Sequence, residues 1–231
     1  MTVRAAVFHH AVAAGEPWRT QCPHCDVALV RPGWRLAASA LSPTGRCRSC
    51  AHRLGPPVAV VELLGAVTLA ILAWRAGTHV ATIGLVWAAL IAVVLALVDI
   101  SVHRLPDRLI LTALAGTLVV FGISAVTTGD YRRLGVAALC GVGAGAAYFL
   151  IVFASPRGMG LGDAKLALLV GLTTGWFGVS TAVLALFAGL LLAGVTAIVL
   201  LVTRRVSRSD RLAHGPFMLL GALVAIILAT L

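Results

Sequence analysis

Charge is scarce in this sequence of 231 residues. Only 11% of the residues are charged, 60% are hydrophobic, and the mean hydropathy is +1.03. Because a soluble domain averages about 25% charged residues, the composition excludes an ordinary soluble enzyme and predicts a polytopic membrane protein. Acids are the rarest charge, with eight Asp and Glu against 18 Lys and Arg, a single lysine among them. There is no long basic face outside the predicted loops, so nucleic acid is not an expected partner.

Seven apolar segments follow residue 56. A helix needs about 20 residues to cross the hydrocarbon core of a bilayer, so these segments predict an all-α polytopic fold of about seven transmembrane helices in contact with lipid. Two of them, 164–178 and 216–231, are short for a span. The segments are 57–74, 80–98, 106–127, 134–154, 164–178, 179–202 and 216–231.

Arginine predicts the orientation of these helices. If the helices alternate in direction, 15 of the 18 Lys and Arg fall on the side of the N-terminus, and only Arg75, Arg132 and Arg133 fall on the other. Basic residues collect in cytoplasmic loops of membrane proteins. We therefore expect a cytoplasmic N-terminal segment, with residues 1–56, 99–108, 155–165 and 203–213 on the same side.

The chain divides into three predicted parts. Residues 1–21 are interpreted as a poorly ordered polar lead-in, in which His9 and His10 are solvated rather than metal-binding. Residues 22–55 form a small cytoplasmic cysteine module, and residues 56–231 form the membrane domain.

Four of the five cysteines form two Cys-x-x-Cys pairs, Cys22 with Cys25 and Cys47 with Cys50, separated by 21 residues. This spacing is typical of a four-cysteine zinc site, in which each turn presents two thiolates to one ion. The alternatives are two disulfides or free thiols. Disulfides are disfavoured in a reducing cytoplasm, so zinc is the preferred prediction, while Cys140 is expected to pack without chemistry.

Two acids lie at the ends of apolar segments on the predicted cytoplasmic side. Asp99 ends its segment, where a carboxylate is disfavoured by the helix dipole, and Asp163 follows a glycine-rich stretch. Two carboxylates brought close together share a proton, so one can act as base on a water and the other as acid. This is the chemistry of an aspartic protease. A transporter or channel with a paired-acid ion site is the open alternative.

Three further groups accompany these acids. Gly158, Gly160 and Gly162 precede Asp163 and allow close backbone approach. Lys165 supplies local charge or meets lipid phosphate, and Asp107 after Pro106 is typical of a helix cap or dipole partner. Glu62, one turn into the first membrane segment, is expected to be structural.

These motifs resemble a known family. The run Gly160-Leu-Gly162-Asp163-Ala-Lys165-Leu resembles the Gly-x-Gly-Asp-x-Lys-Leu motif of type IV prepilin peptidases. Asp99 with the following Leu-Pro-Asp107 resembles the family's other aspartate segment, 64 residues away. The four cysteines match its cytoplasmic tetracysteine module, and Gly215-Pro-Phe matches a weaker signature. Together the similarity covers about residues 22–221.

The resemblance implies a bacterial inner-membrane aspartic endopeptidase of the type IV pilus system. Such enzymes remove the basic leader of pilin-like or pseudopilin precursors on the cytoplasmic side, and the matching catalytic residues are Asp99 and Asp163. Some members also methylate the new N-terminus with S-adenosylmethionine. Members usually begin with another membrane helix and often carry an Asn-Ile-Pro stretch between the cysteine pairs. In this sequence no such helix precedes the cysteines, and no Asn-Ile-Pro stretch lies between the two pairs. Methylation therefore stays open. A related intramembrane protease with other substrates also stays open as an alternative.

Overall fold

The fold is built from helices, as the hydropathy pattern predicts. The computed structural model describes residues 3–12, 17–31, 35–36, 44–55, 57–76, 79–154, 160–205, 207 and 212–229. Within these ranges lie the helices α1 (Val3–His10), α2 (Val58–Ala76), α3 (Val80–Val102), α4 (Asp107–Thr128), α5 (Tyr131–Ala154), α6 (Leu161–Gly175), α7 (Val179–Val202) and α8 (Gly215–Leu228). The strands β1 (Val30–Arg31) and β2 (Arg35–Leu36) pair antiparallel in the cysteine module.

The seven predicted apolar segments correspond to α2 through α8, so the prediction of a multi-pass membrane fold is confirmed. Four of the described helices, α3, α4, α5 and α7, are long and apolar enough to cross a bilayer. Shorter apolar helices cover Ala59–Trp74 and Gly215–Leu228. Because successive helices are joined by short connections, the C-terminal end of α3 and the N-terminal ends of α4, α6 and α8 lie at the same end of the bundle.

Helix α6 is short because it is surrounded by protein. It has 15 residues, which at 1.5 Å per residue span about 22 Å. Eleven of them are buried, and the helix packs against α3, α4, α5, α7 and α8. Gly171 and Gly175 lie directly against Cys140 of α5, which allows the close helix contact that small residues provide in membranes. A central, tightly held α6 fixes the position of the residues at its N-terminus.

The interpretation of the N-terminus as a solvated lead-in was wrong for the residues of α1. Ala6, Val7 and Phe8 are buried, and His10 is only 2% exposed. Ala6 and Val7 pack with Val98 of α3, whereas Phe8 packs against the cysteine module. The apolar run is too short to span a bilayer, but it is long enough to bury two faces of a two-turn helix. Helix α1 therefore connects the cysteine module to the membrane bundle.

Candidate active site and metal centre

Asp99 lies in the last turn of α3, and its carboxylate is 5% exposed. Its own helix offers it only carbonyl groups, which carry the negative end of the helix dipole. Helix α8 offsets this unfavourable interaction, because the backbone N–H of Gly215 donates to Asp99 Oδ2 at 3.0 Å. Gly215 is the first residue of α8, where backbone N–H groups have no partner within the helix. The positive end of α8 thus stabilises a carboxylate that α3 disfavours.

Asp163 lies in the first turn of α6 and is 8% exposed. Its Oδ2 accepts a hydrogen bond from the backbone N–H of Gly160 at 3.0 Å, and the Asp163 N–H donates to Gly160 O. An acidic side chain in the first turn of a helix is favoured by the dipole and by the unpaired N–H groups there. Each aspartate is therefore held by the N-terminus of a helix, Asp163 by its own and Asp99 by that of α8.

The structure brings the two aspartates together at one end of the bundle. Their carboxylates are close enough to repel each other electrostatically, and no salt bridge from a lysine or arginine reaches either one among the residues that the structure describes. Two buried carboxylates without a neutralising cation are costly to place. Such an arrangement is typical of a functional site rather than of a structural ion pair.

His214 and Tyr148 complete the surroundings, and the sequence did not single them out. His214 precedes Gly215 and interacts electrostatically with Asp163, and its Nε2 lies 3.5 Å from the hydroxyl of the buried Tyr148. Burial lowers the pKa of His214 below its usual value, while the neighbouring Asp163 carboxylate opposes the shift. The signal that could have found His214 is its place beside Gly215, in the segment that resembles the weaker family signature.

Asp107, the nearest alternative partner for Asp163 in the sequence, is part of a different interaction. It is the first residue of α4, its side chain is 58% exposed, and its Oδ2 lies 2.7 Å from Lys165 Nζ. This pair joins the N-termini of α4 and α6. The structure therefore separates the predicted acids into a buried pair, Asp99 with Asp163, and an exposed carboxylate bound to a cation.

The glycines before Asp163 have different surroundings. A Cβ atom on Gly162 would lie 3.0 Å from Leu105 Cβ, whereas one on Gly160 would meet Asp163 Oδ2 at an ordinary 3.7 Å. The close backbone approach predicted for this stretch is thus present at Gly162. Gly158 lies outside the described residues. Gly215 is a further position of this kind, since its Cβ would lie 2.9 Å from Asp99 Oδ2.

The second candidate site is formed by the four paired cysteines. Their Sγ atoms all lie within 4.8 Å of one another, and none of the four is in a disulfide. The Cys22–Cys50 and Cys25–Cys47 Sγ distances are both 3.6 Å. A tetrahedral zinc ion with bonds of about 2.3 Å requires sulfur atoms about 3.8 Å apart. The donor set and its dimensions therefore fit a metal ion.

Both cysteine turns have the same backbone geometry. Asp26 N–H donates to Cys22 O at 3.0 Å, and Ala51 N–H donates to Cys47 O at 2.9 Å. The φ angles of Asp26 and Ala51 are 53° and 56°, in the left-handed region. Hydrogen bonds from the backbone N–H groups of Cys50 and Ser49 lower the pKa of the Cys47 thiol to about 6, against the effect of burial. This favours a thiolate at Cys47, the form that binds metal. At Cys25 a backbone hydrogen bond from Val27 lowers the pKa, but burial and the neighbouring thiols outweigh it and raise the pKa to about 12.

Comparison with known proteins identifies the class of the membrane domain. Residues 86–230 match the model of the type IV leader peptidase family. This range contains both buried aspartates, the Asp107–Lys165 pair and His214. No solved structure matches the chain.

Three relatives are named prepilin leader peptidase/N-methyltransferase. The protein of Neisseria gonorrhoeae is 28% identical over 202 residues, which cover 84% of this chain and 66% of the relative. The Pseudomonas putida protein is 29% identical over 217 residues, covering 90% and 70%. The Bacillus subtilis (strain 168) protein is 25% identical over 208 residues, covering 90% and 80%. The chain thus spans about two thirds of the length of the gonococcal relative.

The family match confirms the resemblance inferred from the glycine-aspartate motif and favours a peptidase over a transporter. It covers the helices that position the two buried carboxylates, and the aligned relatives extend the similarity across most of the chain. On this evidence the protein belongs to the type IV leader peptidase family.

Proposed function

We propose that this protein is a membrane aspartic endopeptidase in which Asp99 and Asp163 are the catalytic pair. The observation that carries the proposal is the meeting of two buried carboxylates, from α3 and α6, at one end of the helical bundle. Their burial without a lysine or arginine salt bridge, among the described residues, supports an arrangement in which the two carboxylates share one proton.

The proposed reaction uses a water between the two carboxylates. The ionised aspartate takes a proton from the water while the oxygen of the water attacks the scissile carbonyl carbon. The protonated aspartate donates its proton to the carbonyl oxygen. When the C–N bond breaks, the proton taken from water passes to the leaving nitrogen. The hydrogen bonds from Gly215 and Gly160 hold one oxygen of each carboxylate, which keeps the opposite oxygens free to face the water.

His214 and Tyr148 fit this scheme as positioning residues. Burial opposes a positive charge on the His214 imidazole, and such a charge would favour ionisation of both carboxylates. The contact of His214 with the buried hydroxyl of Tyr148 links α5 to the start of α8. The start of α8, whose Gly215 N–H donates to Asp99, is therefore also stabilised by contacts near Asp163.

The proposed substrates are the precursors of type IV pilin-like proteins, cleaved after their basic leader. The names of the relatives support this class. The proposed location is the bacterial inner membrane, with the N-terminal segment, the cysteine module and the catalytic end of the bundle in the cytoplasm. The placement of 15 of 18 basic residues on that side supports this orientation.

The cysteine module is proposed to hold one structural zinc ion. Four thiolates at tetrahedral spacing leave no open coordination position, which is typical of structural rather than catalytic zinc. Such an ion ties the two cysteine turns together. The relatives' names also include N-methyltransferase, and transfer of a labelled methyl group from S-adenosylmethionine to the cleaved product is the measurement for that second activity.

The test of the peptidase uses Asp99→Asn and Asp163→Asn in the full chain in lipid, with a pilin-like precursor as substrate. Loss of one member of an acid–base pair costs on the order of 10³-fold or more in rate, so each variant should lose cleavage. Asp130→Asn is the matched control, because Asp130 lies at the opposite end of the bundle with a side chain that is 45% exposed. Full cleavage by either Asp99→Asn or Asp163→Asn would remove that residue from the pair. A wild-type chain without cleavage would refute the activity.

A further inference from the structure

His214 carries a polar group beside the candidate active site that the proton transfers of the proposed reaction do not use. It precedes α8, and two backbone N–H groups in the first turn of that helix donate to its carbonyl oxygen at 3.1 and 3.2 Å. The next residue, Gly215, donates to Asp99, and Asp163 acts electrostatically on the imidazole ring. The backbone of His214 is therefore fixed beside the residue that binds Asp99, and its ring lies near Asp163.

One nitrogen of this ring contacts Tyr148 of α5. The Tyr148 hydroxyl lies 3.5 Å from His214 Nε2, and the two ring centroids are 5.9 Å apart. Tyr148 is only 2% exposed, and His214 Nε2 is the only hydrogen-bond partner of its hydroxyl among the residues that the structure describes. A buried hydroxyl without an acceptor for its proton is costly. We therefore expect Tyr148 to donate the hydrogen bond and Nε2 to accept it.

This contact determines where the neutral imidazole carries its proton. A neutral ring has one N–H and one unprotonated nitrogen, and the hydrogen bond made by one nitrogen sets the state of the other. With Nε2 accepting from Tyr148, the proton is on Nδ1. Within the described parts of the chain, no hydrogen-bond partner reaches Nδ1, and His214 is only half-buried. The ring therefore offers one hydrogen-bond donor to a ligand.

The peptide bond to be cut must reach the two carboxylates close to this donor. Gly215 and Gly160 already donate to one oxygen of each carboxylate, so the reacting carbonyl group lies on the side of the other oxygens. Negative charge develops on the carbonyl oxygen as water attacks, and this oxygen has two lone pairs that accept hydrogen bonds. The protonated aspartate supplies one donor. An N–H group beside Asp163 can supply the second.

We propose that His214 is a further catalytic residue, whose Nδ1–H donates to the carbonyl oxygen of the bond being cut, in the tautomer that Tyr148 fixes. This inference rests on the proposed function, and it adds a substrate contact outside the aspartate pair. His214 keeps its proton throughout, so the transfers between water, the two aspartates and the leaving nitrogen are unchanged. Because the contact strengthens as charge develops on the oxygen, it accelerates the chemical step rather than substrate binding.

Two amide substitutions at position 214 separate the roles of the two ring nitrogens. The side-chain nitrogen of asparagine is attached to Cγ, as Nδ1 is, whereas that of glutamine is attached to Cδ, as Nε2 is to Cδ2. His214→Asn can therefore keep the proposed donor, and His214→Gln can keep only the contact with Tyr148. With the full chain in nanodiscs and a pilin-like precursor, we expect His214→Gln to lower kcat about 100-fold. His214→Asn should be at least about tenfold more active than His214→Gln, and KM should stay within about twofold in both.

His79 provides the matched control. It precedes α3 as His214 precedes α8, it makes no side-chain capping hydrogen bond, and it is exposed at the opposite end of the bundle. His79→Asn and His79→Gln should both keep wild-type kcat. Equal kcat in the two folded His214 variants, the reverse order, or a loss confined to KM would overturn the proposal. These outcomes differ from failure of the peptidase proposal, in which wild-type protein does not cleave or the aspartate variants remain active.

Nuclear magnetic resonance of isotopically labelled histidine tests the tautomer without substrate. Burial lowers the pKa of His214, so the neutral ring is observed at about pH 8, above the usual histidine pKa. Its signals are those that His214→Asn removes. We expect a protonated Nδ1 in wild type, and in Tyr148→Phe a shift toward the Nε2–H tautomer with about a fivefold loss of kcat. A wild-type ring protonated at Nε2 would contradict the proposed donor.

Discussion

The cysteine module and the aspartate pair are both sites in which a few polar side chains meet, but they are assembled in opposite ways. In the module, each pair of cysteines comes from one tight turn, and the two turns have the same backbone geometry. At the aspartate pair, Asp99 and Asp163 come from separate helices, and the N-terminus of a third helix, α8, holds one of them.

This difference sets what each site depends on. The module has a small apolar cluster around Phe8 and Leu29, so bound metal is expected to supply much of its stability. The aspartate pair depends on how α3, α6 and α8 pack. Changes at the module should therefore affect metal content and folding of that segment, whereas changes near Asp99 should affect catalysis without unfolding the bundle.

The largest effect is expected from removal of a proposed zinc ligand. Cys47→Ser should reduce bound zinc from about one ion per chain to less than about 0.1, because structural zinc in small modules contributes on the order of 10 kcal/mol. Elemental analysis measures the metal, and Cys140→Ser is the control, since Cys140 packs within the bundle. Cleavage should stay within about tenfold of wild type if the two regions are independent. Full zinc content in Cys47→Ser would contradict the metal site.

A smaller but more selective effect is expected at Gly215. A Cβ there would lie 2.9 Å from Asp99 Oδ2, and the carboxylate can move aside at little cost in folding. Gly215→Ala should therefore lower kcat by about 10- to 100-fold, which corresponds to about 1.4–2.7 kcal/mol, with little change in the amount of inserted protein.

Gly194→Ala on α7 is the control for Gly215→Ala, because nothing lies within 4 Å of a Cβ at that position among the described residues. Wild-type kcat in Gly215→Ala would show that the close placement of the Asp99 carboxylate against residue 215 is not needed. Loss of insertion would show that the site and the fold are not separable there.

The connection between the two regions predicts a pH dependence. Burial, with added repulsion from His9, Arg108 and Arg104, lowers the pKa of His10 from 6.5 to about 4. Since the unfolded state binds the proton more readily, this contribution to stability is complete above pH 6.5 and is lost as the pH falls toward 4. The opening of α1 should be easier by about 2 kcal/mol at pH 5 than at pH 7.5.

Amide hydrogen exchange of α1, corrected for intrinsic rates, measures this opening. His10→Gln should remove the pH dependence, whereas His9→Gln should retain most of it, because burial, the largest cause of the His10 shift, is unchanged. If α1 is equally protected at both pH values in wild type, the coupling between the module and the bundle does not depend on His10.

The smallest effect is expected for the exposed pair Asp107 and Lys165. Exposed ion pairs contribute roughly 0.2–1 kcal/mol, so Asp107→Lys or Lys165→Asp alone should reduce cleavage by about two- to fivefold through misplacement of the α6 N-terminus. The double variant Asp107→Lys with Lys165→Asp should restore most of the lost cleavage. A double-mutant cycle on kcat/KM measures the coupling, and a loss as large as that of Asp163→Asn would mean that Asp107 acts in catalysis.

Much of this architecture could be predicted because lipid imposes a simple rule on sequence. A helix that crosses a bilayer must be apolar over its length, so the seven segments and their order were readable. The cysteine spacing was equally direct, because both turns are local. Helix α1 was missed since an eight-residue run of mixed polarity carries no such signal, and its burial depends on contacts with α3 and the module.

The sequence by itself determined the helices, their alternation across the membrane, the cysteine pairs and the two aspartates that interrupt apolar runs. These features follow from local composition and spacing, since hydrophobic length and turn chemistry act over short stretches of chain. Only the tertiary structure decided which acids meet. Asp107 is closer to Asp163 in sequence than Asp99 is, yet Asp107 is bound to Lys165 at the surface. The packing of α3 and α8 around a central α6 buries Asp99 beside Asp163. Gly215 of α8 donates the hydrogen bond to Asp99 that α3, the helix of Asp99, could not provide.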